Sequence, residues 1–214
     1  MSGYQTPQEA FWAGAFGNDY TQRNQGERLV ACNASLFQRL LARAHPPASI
    51  LELGANIGLN LIALRQLLPQ ARLAAVEINP EAVAHLRRLP EVEVFHESLL
   101  AFEPPQSYDL VFTKGVLIHI APDQLPRVYD LMYRASRRYV ALAEYYSPTP
   151  VSVPYRGHAD RLFKRDFAGE LLDRFPDLRL VDYGFVYRRD PQHPQDDLTW
   201  FLMEKTTRQP PDRD

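Results

Sequence analysis

A doubly wound α/β fold on a mostly parallel sheet is what this sequence predicts, and three observations predict it. From residue 49 onward short apolar runs alternate with helix-length amphipathic stretches, the signature of βα units joined by crossovers. One of those runs, Tyr108–Thr113, is apolar almost throughout, as befits a strand buried on both faces. Finally, Ser49-Ile-Leu-Glu-Leu-Gly-Ala-Asn-Ile-Gly58 reads as a strand and a tight glycine turn opening a helix, with a second strand after it that ends on the acidic Glu77. Doubly wound sheets bind ligands beyond the carboxyl ends of such strands.

The elements follow in order. Thr6-Pro7-Gln8-Glu9 is a helix start: a capping hydroxyl, proline at the first helical position and a glutamate closing the capping box. Phe11, Trp12 and Phe16 follow it, and Gly17–Asn24 reads as a polar turn. Leu29, Val30, Leu36, Phe37, Leu40 and Leu41 lie on one face of a helix over about 27–44, which His45-Pro46-Pro47 ends. Strands are expected at 50–53, 73–77, 92–95, 108–113 and 139–143, with helices at 59–68, 80–89 (opened by Asn79-Pro80) and within 123–136. Pro126 blurs the first turn of the last of these. After a proline-rich excursion (Ser147–Pro150, Pro154) come a helix over 166–174 and strands at 178–187 and 198–204. This makes one domain: a helical cap over residues 1–48, an α/β body over 49–205 and a frayed polar tail over 206–214.

Bulk properties narrow the function classes. At 214 residues the chain suits one sizeable domain, and 45% hydrophobic residues can build its core. A net charge of −2 gives no general drive toward nucleic acid. The single cysteine, Cys32, excludes an internal disulfide and fits a reducing cytosol, where it packs in a helix. The first residues lack the pattern of a signal peptide, and no apolar run approaches membrane-spanning length. No histidine or cysteine cluster has metal-ligand spacing. The expectation is a cytoplasmic protein working on a small molecule without a metal, as a monomer or a homodimer.

The 49–80 segment holds a nucleoside in this reading, with backbone N–H groups near one end and Glu77 on the ribose hydroxyls. Glycines stand at Gly54 and Gly58 with Asn56 between, so the G-x-G-x-x-G of a dinucleotide site is missing, which disfavours a nicotinamide oxidoreductase. Glu52 would repel a diphosphate and suits a cationic, amino-acid-bearing ligand, which points to S-adenosylmethionine. Gly54 and Gly58 alone could be ordinary turn glycines; Glu52 before them and Glu77 after them decide for the cofactor. Asn56 departs from glycine, but asparagine tolerates positive φ best among other residues.

The series resembles the class I S-adenosylmethionine-dependent methyltransferases, with a Rossmann-like sheet closed by an antiparallel pair at 178–204. Glu52-Leu-Gly54-Ala-Asn56-Ile-Gly58 stands where that family has its acidic glycine loop, and Asp109-Leu-Val-Phe-Thr-Lys114-Gly115-Val-Leu-Ile-His119 where it has the fourth strand and the segment beneath the reacting methyl. The blocks Phe11–Asn24, Glu144–Pro150, Pro154–His158, Phe163–Glu170 and Gln195–Phe201 further resemble methyltransferases associated with pseudaminic acid biosynthesis. The resemblance implies methyl transfer to an oxygen or nitrogen of a small polar, anionic metabolite, a sugar acid of nonulosonic type or another small natural-product precursor. A catalytically silent S-adenosylmethionine-binding partner or sensor is the alternative.

By that resemblance Ile78 lies beside Glu77 on the cofactor, Glu97 and Ser98 sit near the adenine, Lys114 lines the pocket, and Arg23 on an N-terminal lid meets the methionine carboxylate. Lys114 could equally reach solvent. His119 is either a packed core histidine or the catalytic base, with an ordinary pKa near ~6.5; the family position favours the base, with Glu144 or a tyrosine as second candidate. Tyr20, Tyr145, Tyr155, Arg156 and His158 are the expected acceptor contacts. The basic run from Arg156 to Arg165 is either a solvated helix face or, at Arg156 and His158, an anion clamp.

Overall fold

The computed structural model describes residues 4–206. Five strands form the parallel part of one sheet: β1 (Ser49–Leu53), β2 (Arg72–Glu77), β3 (Val92–His96), β4 (Tyr108–Lys114) and β5 (Ser136–Glu144). β8 (Leu178–Val186) and β9 (Leu198–Lys205) complete it as an antiparallel pair, in the order β3-β2-β1-β4-β5-β9-β8. The order reverses between β1 and β4, which is where such sheets leave a crevice. Helices α3 (Glu27–Leu40), α4 (Leu59–Leu67) and α5 (Pro80–Leu86) bury Leu36, Phe37, Leu61 and Leu86 with Ile50 and Phe112 on one face. On the other, α6 (Leu125–Ala135) and α7 (Phe167–Arg174) bury Val128, Leu131 and Leu171 with Leu51, Leu53 and Val111. Neighbouring residues of β1 thus feed opposite cores, as a strand with period two must when helices cover both sides.

The predicted sheet is borne out strand by strand, with ends shifted by a few residues. The connection from β3 to β4 is a loop without a helix, so α-helices form three of the four crossovers that join the parallel strands. Pro126 falls in the first turn of α6, where its missing N–H costs nothing. Helix α3 ends at Leu40, four residues before the expected Ala44. Cys32 is free and buried on α3, as its packing role requires.

Two segments differ from expectation. After α1 (Pro7–Ala13), which starts with the expected Thr6–Glu9 capping box, the polar stretch forms a second helix, α2 (Ala15–Arg23), instead of a turn. Its glycine, asparagine and aspartate are poor helix formers, and tertiary bonds outweigh them: Asn18 Nδ2 donates to Glu81 Oε1 at 2.6 Å, and Thr21 Oγ1 to Asn56 Oδ1 at 3.0 Å. The proline-rich excursion and the basic run form a hairpin, β6 (Val151–Tyr155) and β7 (His158–Lys164), turned by Arg156 and Gly157. Both turn residues have positive φ, 49° and 85°, the pattern of a two-residue type I′ turn. The basic run is therefore neither a loop nor a helix face. The frayed tail expected over 206–214 lies outside the described residues except for Thr206, whose N–H and hydroxyl both bond the Asp177 carbonyl.

Candidate active site

At the carboxyl end of β1, β2 and β4 lies a cavity of about 490 Å³. Gly54 to Ile57 form its floor, Glu77 to Asn79 and Glu97 to Leu100 one side, and Lys114 to Val116 and His119 to Ala121 another. Trp12, Tyr20 and Thr21 of α1 and α2 roof it, and Arg188 and Pro194 to Asp196 of the β8–β9 connection close the rim.

The loop after β1 is built around two left-handed residues, Gly54 at φ 76° and Asn56 at φ 47°. A Cβ on Gly54 would stand 2.7 Å from a Val116 methyl, so only glycine fits there. Asn56, between the two glycines, takes the left-handed conformation without being glycine. Its N–H donates to Glu77 Oε2 at 2.7 Å, and the Asn79 N–H donates to Glu77 Oε1 at 2.8 Å. Burial raises the Glu77 carboxyl and these backbone bonds oppose the rise. Each carboxylate oxygen still has a lone pair for a second donor, which is what two ribose hydroxyls need.

Glu52 sits beneath this floor, fully buried. Asn60 Nδ2 donates to its Oε1 at 2.6 Å, while Oε2 has no partner. Burial pushes its carboxyl up to about 8, against the pull of Asn60 and of Lys114. Asn60, not Glu52, reaches the cavity wall, which corrects the direct contact expected of Glu52. A carboxyl raised on folding is a group that gains a proton in the folded state. Its stabilising contribution is complete below the ordinary value of 4.5 and is lost as pH rises toward 8. Glu52→Gln should therefore melt higher than the wild type, with a gain that grows from pH 5 to pH 8 at about 2–4 °C per kcal/mol. A difference that does not vary with pH in thermal scans would contradict this.

His119 closes the 3₁₀ turn Leu117–His119 after β4. The N–H groups of Val116 and Leu117 donate to Glu144 Oε1 at 3.0 and 3.1 Å, so Glu144 anchors the start of that turn. This corrects its place as a reserve base: its oxygens already hold backbone donors. The His119 ring is buried, with Nδ1 2.6 Å from the carbonyl oxygen of Arg161. A carbonyl only accepts, so Nδ1 carries the proton and Nε2 is left with a free lone pair. Burial pulls the imidazole down to about 4, so it is neutral at physiological pH rather than half-titrated near 6.5. The rings of Trp12 and Tyr155 flank it at 4.6 and 5.0 Å.

Among the expected site residues, Gly54, Asn56, Glu77, Ile78, Glu97, Ser98, Lys114, Tyr20 and His119 share the cavity wall. Ser98 is also tied to Glu9 of α1, its hydroxyl donating to Oε1. Burial lowers the Lys114 ammonium, opposed by Glu52, Asp196 and Glu144. The Tyr20 phenol is pushed up to about 12, chiefly by burial. The others are not in the wall. Gly58 caps α4 where a Cβ would meet the Leu86 and Leu89 side chains, a packing role. Arg23 is exposed at the end of α2, its guanidinium over the Phe16 ring. Tyr145 reaches the rim through its hydroxyl, which donates to Asp196 Oδ2 at 2.8 Å. Tyr155 backs His119, and His158 packs against Phe11 and Phe16. Arg156 is at the exposed hairpin tip, so the anion clamp expected of it is not part of the cavity. Sequence reasoning missed Asn60, Asn79 and Asp196 as site residues. Asn79 announced itself only as a helix cap and Asn60 not at all, while Asp196 lay in a block noted for resemblance without a role.

Residues 50–138, from β1 into β5, match the family profile described as a methyltransferase domain. Over those residues the chain is similar to a methyltransferase domain. No curated protein matches the chain. Solved structures do. The 1,6-didemethyltoxoflavin-N1-methyltransferase of Burkholderia thailandensis, with bound 1,6-didemethyltoxoflavin and S-adenosylhomocysteine, superposes with a TM-score of 0.68 at 21% identity over 97% of this chain and 93% of that one. Magnesium protoporphyrin IX methyltransferase from Synechocystis PCC 6803, with bound S-adenosylhomocysteine, gives 0.68 at 13% over 92% and 98%. The N-methyltransferase NodS of Bradyrhizobium japonicum WM9 gives 0.62 at 14% over 87% and 91%. These likenesses bear out the Rossmann-like class I methyltransferase fold. The expected class of enzyme, an S-adenosylmethionine-dependent methyltransferase, is borne out by the domain match.

Proposed function

We propose that the cavity binds S-adenosylmethionine and that its methyl group passes to an oxygen or nitrogen of a small polar acceptor. The observation that carries this reading is Glu77: a buried carboxylate at the end of β2, aimed by two backbone N–H groups and open to the cavity beside a left-handed loop. The residues fit that cofactor. Glu77 takes the ribose hydroxyls, Ile78 and Glu97 flank the adenine, and Lys114 faces the methionine carboxylate. When bound, the cofactor supplies an activated methyl on a neutral leaving group.

What the chain adds is alignment and dryness. Trp12 and Tyr20 exclude water above His119, and holding the acceptor atom in line yields most of the acceleration. His119 Nε2, unprotonated and free, accepts the proton that a hydroxyl or amine acceptor must lose. The roof and the cavity volume support a small acceptor over a polymer. The sugar acid of nonulosonic type rests on the sequence blocks alone; with Arg156 outside the wall, Lys114 and Arg188 are the wall's lysine and arginine for an anion. Incubation with S-adenosylmethionine and a panel of small sugar acids, hydroxy acids and amines, followed by assay of S-adenosylhomocysteine, tests the proposal. Acceptor-dependent product supports it; cofactor binding without product from any acceptor would favour the silent binder.

A further inference from the structure

We propose that Asn56 and Asn79 are positioning residues that couple the Glu77 carboxylate to the α1–α2 roof, so that a ligand held by Glu77 is locked in by the roof. This rests on the reading of Glu77 as the ribose-binding acid. Each asparagine does two things at once. The Asn56 backbone N–H holds one Glu77 oxygen, and its side-chain Oδ1 accepts the Thr21 hydroxyl of α2 at 3.0 Å. The Asn79 backbone N–H holds the other oxygen, and its Nδ2 donates to the Trp12 carbonyl at 3.0 Å and to Asn18 Oδ1 at 2.7 Å. Both oxygens of the acid are thus one residue away from a clasp on the roof.

The seat is close. A Cβ on Gly17 of α2 would stand 2.7 Å from Asn79 Nδ2. α2 itself holds poor helix formers, so its order depends on these clasps. A diol that bonds Glu77 fixes the carboxylate, the carboxylate fixes the two N–H groups, and the same residues then hold Thr21 and Trp12. Asparagine between the two glycines gains its reason here: it keeps the left-handed turn and adds a side chain that reaches the roof.

Two conservative variants separate the clasp from the loop. Asn56→Gly keeps positive φ and the N–H to Glu77 while deleting the bond to Thr21. Asn79→Asp keeps the acceptor that caps α5 at Ala82 and removes the donor to Trp12 and Asn18. S-adenosylhomocysteine is the probe, with stopped-flow dissociation and hydrogen exchange over residues 7–23 as readouts. In the wild type it should slow exchange across α1 and α2. In each variant that protection should fall, and dissociation should quicken, by about tenfold for Asn56→Gly, which loses one hydrogen bond, and by more for Asn79→Asp, which loses two, with association nearly unchanged. Thr21→Val should add little to Asn56→Gly but a further loss to Asn79→Asp. Wild-type dissociation and protection in both variants, or full additivity of Thr21→Val with Asn56→Gly, would overturn the coupling alone. A wild type that does not bind the probe would overturn the cofactor reading with it.

Discussion

His119→Ala should lower turnover by about 10²–10⁴-fold, the usual worth of a positioned general base, and leave S-adenosylhomocysteine affinity within a few-fold of the wild type. The expectation follows from the tautomer: the Arg161 carbonyl takes the Nδ1 proton and leaves Nε2 as the acceptor. The pH profile carries a second signature. With the imidazole depressed to about 4 by burial, this base remains unprotonated from pH 8 down to pH 5, so it causes no fall in rate there. An exposed histidine would lose activity through pH 6.5. Single-turnover rates across that range check both points, and a His119→Ala enzyme with full activity would remove the residue from the mechanism.

The second large effect concerns stability and geometry together. Glu144→Ala should lower the melting temperature by roughly 6–12 °C, from about 3 kcal/mol for leaving the buried N–H groups of Val116 and Leu117 without an acceptor. Those groups begin the turn that ends at His119. Turnover should therefore fall with stability, although Glu144 touches no acceptor. Glu144→Gln, which keeps one carbonyl oxygen but turns an amide toward a donor, should fall between. Calorimetric melting and turnover of the two variants decide it; an alanine variant that melts and turns over like the wild type would show that the anchor is idle.

The parts of the fold that were legible in the sequence are those written by burial. β1, β2 and β4 are apolar because helices cover both faces, and that continuity is visible residue by residue. Glu77 and Gly54 were legible for the same reason, since they end or follow such strands. The roof was not. Helix α2 carries Gly17, Asn18, Asp19 and Thr21, which locally favour a turn; its helix is held by Glu81, Asn79 and Asn56, far away in sequence. The hairpin hid because its turn uses Arg156-Gly157 rather than the Asn-Gly that marks a type I′ turn. That disguise made an exposed tip look like an anion clamp. Glu144 was misread because the turn it anchors lies 28 residues before it. Asn56 was read correctly as a carrier of positive φ, but its bond to Thr21 needed a helix that the sequence concealed.

The central claim is that the cavity over Glu77 is a site for the methyl donor, and calorimetric titration tests it most directly. S-adenosylhomocysteine should bind once per chain, Glu77→Ala should weaken it by tenfold or more, on the order of one charge-assisted hydrogen bond, and a nicotinamide dinucleotide should not bind. Failure of S-adenosylhomocysteine to bind, or preference for the dinucleotide, would contradict the account.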